Sequence, residues 1–156
     1  MAIRKIIKEG DPILRMKCRQ VVQFDEKLHQ LLDDMHETLT KAEGVGLAGP
    51  QVGYCRQLFI MHLDDVQLEV INPIILKKSG KQRVLEGCLS VPNKWGYVIR
   101  PKKCKFRAQN RNGKWYEMTL TELGAQCICH EYAHLEGQLF VDVVEEFVDP
   151  KDLEEK

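Results

Sequence analysis

No field of one charge sign runs through this chain. Lysine and arginine together number 23, aspartate and glutamate 23, and the net charge is zero. That balance argues against nucleic acid or an anionic membrane as the main partner. No apolar run reaches the roughly 18 residues of a membrane helix. The N-terminal Met1-Ala2-Ile3-Arg4-Lys5 meets charge too soon for a signal peptide, so a cytoplasmic protein is expected. None of the six cysteines (18, 55, 88, 104, 127, 129) stands in a paired C-x-x-C knuckle, which argues against a structural zinc finger. In that compartment they are expected as thiols rather than disulfides. No repeat, low-complexity stretch or Pro/Ser-rich linker divides the chain, so a single domain over residues 1–156 is expected. The one acidic run, Asp149 to Glu155, reads as a solvated tail.

What is present is an ordinary globular composition, 44% apolar over 156 residues, enough to bury a core without staples. Asp25 can cap a helix whose apolar positions Leu28, Leu31, Leu32, Met35 and Leu39 fall at helical spacing, ending near Gly44. A second helix is predicted from a capping-box pattern, Thr119 with Glu122, to Gly137 as the residue just past its end. Between them the texture is β: Gln57 to Leu63, Val66 to Leu76 and Tyr97 to Arg100. Lys103 to Gln109 and Lys114 to Leu120 flank Asn112-Gly113, a dipeptide suited to a tight hairpin turn. Helix, mainly antiparallel strands, then helix predicts an α+β fold.

The strongest chemical signal is His130-Glu131-Tyr132-Ala133-His134, which fits H-E-x-x-H. On a helix the two histidines differ by about 40° in azimuth and one turn in height, so both imidazoles can grip one ion with Glu131 beside them. The surrounding Ala125, Cys127, Ile128 and Leu135 make this helix a buried one, where unpaired histidines are costly and a metal would give them a partner. A catalytic site needs a third ligand. The metzincin continuation fails because Phe140 stands where its third histidine would be, and a downstream glutamate would have to come from the last few residues. Two upstream thiols remain. Cys127 lies one turn before His130, but three ligands stacked along one straight helix converge poorly on one ion. Cys88, in Glu86-Gly87-Cys88-Leu89-Ser90, is favoured. The stretch Gly44-Val45-Gly46-Leu47-Ala48-Gly49-Pro50-Gln51 contains G-x-G-x-x-G but follows a helix and is broken by Pro50, so it is no dinucleotide loop. It is either a flexible turn or backbone brought close to a peptide, with Gln51 aimed at the metal.

In the order G-x-G-L-A-x-x-Q, E-G-C-L-S and H-E-x-x-H, these stretches resemble the peptide deformylases. Gly10-Asp11-Pro12-Ile13-Leu14-Arg15 and Arg100-Pro101 are similar to that family as well. The resemblance implies mostly antiparallel sheets around a central metal-binding helix, with Cys88, His130 and His134 as metal ligands. It implies a divalent cofactor: ferrous iron in the cell, with zinc or nickel able to take its place. It implies Glu131 as general base, and Gln51 with the Leu89 backbone N–H as oxyanion donors. Gly46, Val45 and Gly87 would hold the peptide. The implied substrate is nascent polypeptide bearing N-formyl-methionine, met at the ribosome by a monomer, and the products are formate and a free terminus.

The sequence departs from the family at four places. Ala133 stands where the family has aspartate, which leaves Arg100 to find another acceptor or solvent and predicts weakened metal retention. Cys129 replaces glutamine, Trp95 an arginine near the substrate entrance, and Gly49 an alanine. The long C-terminal helix of the family is missing or very short. Two other classes stay open at this point: a metallopeptidase using the same ligands, and a silent relative that binds without turnover.

Overall fold

The computed structural model describes residues 2–64, 66–149 and 151–152. Helix α1 spans Glu26–Ala42 and begins as the sequence predicts, with the Asp25 side chain accepting from the Leu28 N–H at 3.1 Å. It stops at Glu43, which adopts a left-handed conformation (φ 56°). The five apolar positions of its stripe are all buried. Each contributes roughly 1.5–3 kcal/mol of burial against about 1 kcal/mol for the cap, so packing holds this helix and the cap sets its start.

Among the described residues eight strands follow along the chain: β1 Gly46–Ala48, β2 Leu58–Leu63, β3 Val66–Ser79, β4 Gln82–Cys88, β5 Val91–Arg100, β6 Lys103–Gln109, β7 Trp115–Thr121 and β8 Glu146–Val148. They form an antiparallel five-stranded sheet in the order β1-β2-β3-β6-β7 and a three-stranded sheet in the order β4-β5-β8. Strand β2 explains the layering. Leu58 and Ile60 pack toward α1, while Phe59 and Met61 pack toward the second helix, α2 (Leu123–Leu135). Successive side chains of a strand point to opposite faces, so a strand covered on both sides shows a continuous apolar run. The larger sheet is therefore sandwiched between the helices, and α2 sits centrally, with Leu14, Val91, Val98 and Phe140 forming a third cluster in the smaller layer.

The expected capping box at Thr119 and Glu122 is not the start of α2. Thr119 lies in β7 and pairs with Lys105 of β6. The cross-strand ladder from Lys103↔Thr121 to Gln109↔Trp115 outweighs the single cap that Thr119 would have supplied. Glu122 precedes the helix at φ 53° without a side-chain cap; its N–H donates instead to the Lys102 carbonyl at 3.0 Å. Gly137 does stand just past the helix end in a left-handed conformation, φ 78°. The Asn112-Gly113 turn forms, but the loop runs from Asn110 to Lys114, with the Asn110 side chain accepting from the N–H groups of Asn112 and Lys114. Strands β1, β4 and β8 were not predicted, and β3 and β5 run longer than predicted. The acidic run at 149–155 and the expected lack of a long terminal helix fall largely on residues 150 and 153–156, outside the described residues.

Candidate metal centre

His130 and His134 project from one face of α2, both buried, with ring centroids 5.1 Å apart. The third donor comes from the end of β4. There the ladder with β5 slips between Glu86↔Gly96 and Cys88↔Val91, and such irregularities re-aim a side chain. Cys88 Sγ comes to 3.4 Å from His134 Nε2, and ligand atoms of Cys88, His130 and His134 all lie within 4.8 Å of one another. Donors at ordinary metal–sulfur and metal–nitrogen lengths around a tetrahedral cation lie about 3.3–3.7 Å apart, a spacing that the Cys88 sulfur and His134 Nε2 have and that the set of three approaches, and a thiol with two imidazoles is a donor set that suits a divalent ion. Among the described residues this is the one such group of three. Cys127, the rival thiol, packs instead into the apolar cluster between α2 and the large sheet. Phe140 is buried with its ring centroid 6.2 Å from that of His130, as packing rather than as a ligand.

Glu86, to which no sequence pattern points, organises the centre. Its carboxylate accepts from His130 Nδ1 at 2.6 Å and from Arg100 Nε and Nη2 at 3.1 and 2.6 Å. This leaves Nε2 of His130 as the nitrogen available to a metal, since a ligand histidine is oriented by what its other nitrogen meets. It also answers where Arg100 goes without an aspartate at 133: it is buried against Glu86. Burial alone would raise the Glu86 carboxyl, but the hydrogen bonds from His130 and Arg100 outweigh it and hold it at about 2. No local pattern announced this role: the strand that carries Glu86 lacks a clean alternation, and the ladder slip falls between Glu86 and Cys88.

Glu131 is buried with Oε1 unpartnered and Oε2 3.9 Å from His130 Nε2. Burial pushes its carboxyl up to about 7 against the attraction of His130, with Glu86 adding to the rise. Burial opposes charge on His130, but Glu131, the Cys88 thiol and Glu86 outweigh it and raise its pKa, whereas burial and His130 depress that of His134. Room for Glu131 comes from Gly46: a Cβ there would sit 2.5 Å from Glu131 Oε2. Gln51 is buried in the 3-10 turn Gly49–Val52. Its Oε1 accepts from the Ala48 N–H at 2.9 Å, and its Nε2 donates to Ser90 Oγ at 3.0 Å and lies 3.7 Å from Cys88 Sγ.

A cavity of about 610 Å³ opens over this centre, with Val45, Gly46, Gln51, Gly87, Cys88, Leu89, Trp95, His130 and Glu131 among its lining. His134 lies behind that lining. Strands β1 and β4 are each an edge of their sheet, so two unpaired strand edges border the cavity. Trp95 lies across Gly87, where a Cβ would meet its ring at 2.6 Å.

A cysteine sulfur and two imidazoles under a cleft, with a buried glutamate beside them, constitute the apparatus of a metal-dependent hydrolase. The polypeptide deformylase family model matches residues 3–149. The peptide deformylase of Clostridium botulinum is 51% identical over 142 residues, 91% of this chain and 97% of that protein. The crystal structure of peptide deformylase from Thermotoga maritima superposes with a TM-score of 0.90 at 37% identity, covering 92% of this chain and 98% of that one. A Met-Ala-Ser-bound structure of the class I type b enzyme from Acinetobacter baumannii gives 0.88 at 30% identity, over 91% and 98%. The chain belongs to the polypeptide deformylase family.

Proposed function

We infer that this chain removes the formyl group from the N-terminal formyl-methionine of newly synthesised polypeptides, releasing formate, with a divalent metal held by Cys88, His130 and His134. The observation that carries the reading is the approach of the Cys88 sulfur to the α2 imidazoles beside Glu131, across 42 residues of sequence from His130. Family membership supports the substrate class, and the Acinetobacter relative binds Met-Ala-Ser, a peptide of the kind deformylation would leave.

The ion, ferrous iron in the cell and zinc or nickel by substitution, would supply Lewis acidity that polarises the formyl oxygen and lowers the pKa of water. Glu131 takes the proton of the attacking water and delivers it to the leaving amine. The Gln51 side-chain amide and the Leu89 N–H stabilise the oxyanion, each contributing about 2–4 kcal/mol of barrier lowering. The peptide lies between the two strand edges, paired with Gly46 and Gly87 and flanked by Val45; main-chain pairing of this kind tolerates many sequences. The apolar lining from Leu85, Leu89 and Leu123 suits an unbranched thioether side chain. The whole of 1–156 acts as one catalytic domain. It is a cytoplasmic monomer that meets nascent chains at the ribosome, without nucleic-acid or membrane binding of its own; no described helix is long and apolar enough to cross a membrane.

Formyl-Met-Ala, acetyl-Met-Ala and unmodified Met-Ala offered to anaerobically purified enzyme test the reading. Formate should appear from the first alone, alongside one equivalent of metal. Release of free amino acids would establish a peptidase instead.

A further inference from the structure

Away from the cleft, two thiols that the deformylation chemistry does not use stand face to face. Cys18 lies in the extended segment before α1 and Cys55 in the loop before β2, with their sulfurs 3.8 Å apart. A parallel bridge joins the next residues along, Arg19 and Arg56. In it the Arg19 N–H donates to the Cys55 carbonyl at 3.4 Å and the Gln57 N–H to the Arg19 carbonyl at 2.8 Å. This register sets Cys18 directly beside Cys55, both side chains on the same face. Paired backbones lie about 4.7–4.9 Å apart, inside the roughly 4.4–6.8 Å of Cα separation that a disulfide spans. Side-chain bonds hold the pairing on both flanks: Gln57 Nε2 donates to the Cys18 carbonyl at 3.3 Å and Arg56 Nη1 to the Gln20 carbonyl at 3.1 Å. Bonding therefore requires little beyond side-chain rotation.

We propose that Cys18 and Cys55 are a reversible disulfide site, oxidised by small-molecule disulfides of the oxidised-glutathione class. Cys18 is buried and Cys55 is partly open to solvent, so Cys55 is the entry point. Its thiolate attacks one sulfur of the small disulfide and releases one thiol. Cys18, losing its proton, then attacks the Cys55 sulfur of the mixed disulfide and displaces the second thiol. The two cysteines lose two electrons, the small disulfide gains them, and both protons leave on the released thiols.

The bond would close a loop carrying α1, β1 and Gln51. Cys18 is also tied to the metal helix, its N–H donating to the Leu135 carbonyl at 2.9 Å. Oxidation therefore fastens the surroundings of the metal centre without consuming Cys88. A loop with ends 37 residues apart predicts a rise in Tm of roughly 5–15 °C.

The test treats the zinc-loaded full chain with oxidised glutathione and maps peptides without reduction. A Cys18–Cys55 link with the mass of two hydrogens lost, a raised Tm, full zinc retention and reversal by dithiothreitol are expected. Cys55→Ser should abolish the link and the Tm shift while keeping activity before oxidation; Cys18→Ala serves as a second variant. Glutathione persisting on Cys55, a link through Cys88, Cys104, Cys127 or Cys129, or no reaction would each overturn the proposal. Because the linkage map is independent of turnover, its failure is distinguishable from failure of the deformylase reading.

Discussion

Two glutamate–arginine–histidine clusters in this molecule have nearly the same geometry and opposite uses. In the cleft, Glu86 accepts from Arg100 and from His130 Nδ1. On the far side of the large sheet, Glu69 of β3 accepts from Arg111 Nε and Nη2 at 2.9 and 2.6 Å and from His36 Nε2 at 2.8 Å. In both, burial alone would raise the carboxyl, but the hydrogen bonds outweigh it and hold it at about 2. The difference lies at the second nitrogen of the histidine. That of His36 meets His62 Nε2 at 2.8 Å, in a ring pair lying nearly parallel. The free nitrogen of His130 belongs to the group formed with Cys88 and His134. A carboxylate that orients an imidazole makes a ligand only where other donors converge on the remaining nitrogen; elsewhere it ties elements together.

The largest effect separating the two regions is expected from Glu131→Gln. Turnover should fall about 10²–10⁴-fold while metal content by elemental analysis stays intact. Near-normal rates would remove Glu131 from its role. Next comes Glu86→Gln, which leaves His130 without its anionic partner and should weaken metal binding about 10–100-fold in a competition titration. Unchanged affinity would make the two clusters equivalent and break the comparison. Glu69→Gln should leave metal binding untouched and lower stability by about 1–2 kcal/mol at neutral pH, after allowance for partial exposure. The sign follows from a folded pKa of about 2 beneath the ordinary 4.5. The Glu69 contribution is full above 4.5 and disappears as pH falls through about 2, so denaturation curves of wild type and variant should converge at acid pH. The smallest change is expected from His62→Ala, which removes one half-exposed hydrogen bond: a loss of about 0.5–1 kcal/mol in urea unfolding, with no change in turnover.

Legibility from sequence differed between the helices for a physical reason. Helix α1 carries only structural duties, so its apolar period and Asp25 cap lead straight to its observed start. Helix α2 gives its buried face to His130, Glu131 and His134, and its apparent capping box belongs to the β7 ladder. H-E-x-x-H and E-G-C-L-S were readable because their local patterns are narrow. The roles of Glu86 toward His130 and Arg100, and of Gly46 in making room for Glu131, were not, because each depends on residues that meet only when β4, β5, β1 and α2 are assembled. Strand β4, with Arg83, Glu86 and Gly87 in its short run, carries no clean alternation to announce it.

The sequence by itself determined the α+β class and the helix that presents two imidazoles one turn apart, because these rest on local periodicity; it left Cys88 favoured over Cys127 as the third donor, and the fold brings the Cys88 sulfur to those imidazoles. Tertiary structure alone decided which carboxylate orients His130, where the Arg100 charge is neutralised and which thiols stand side by side. Those outcomes are set by strand register and layer packing, which place groups in contact without regard to their separation along the chain.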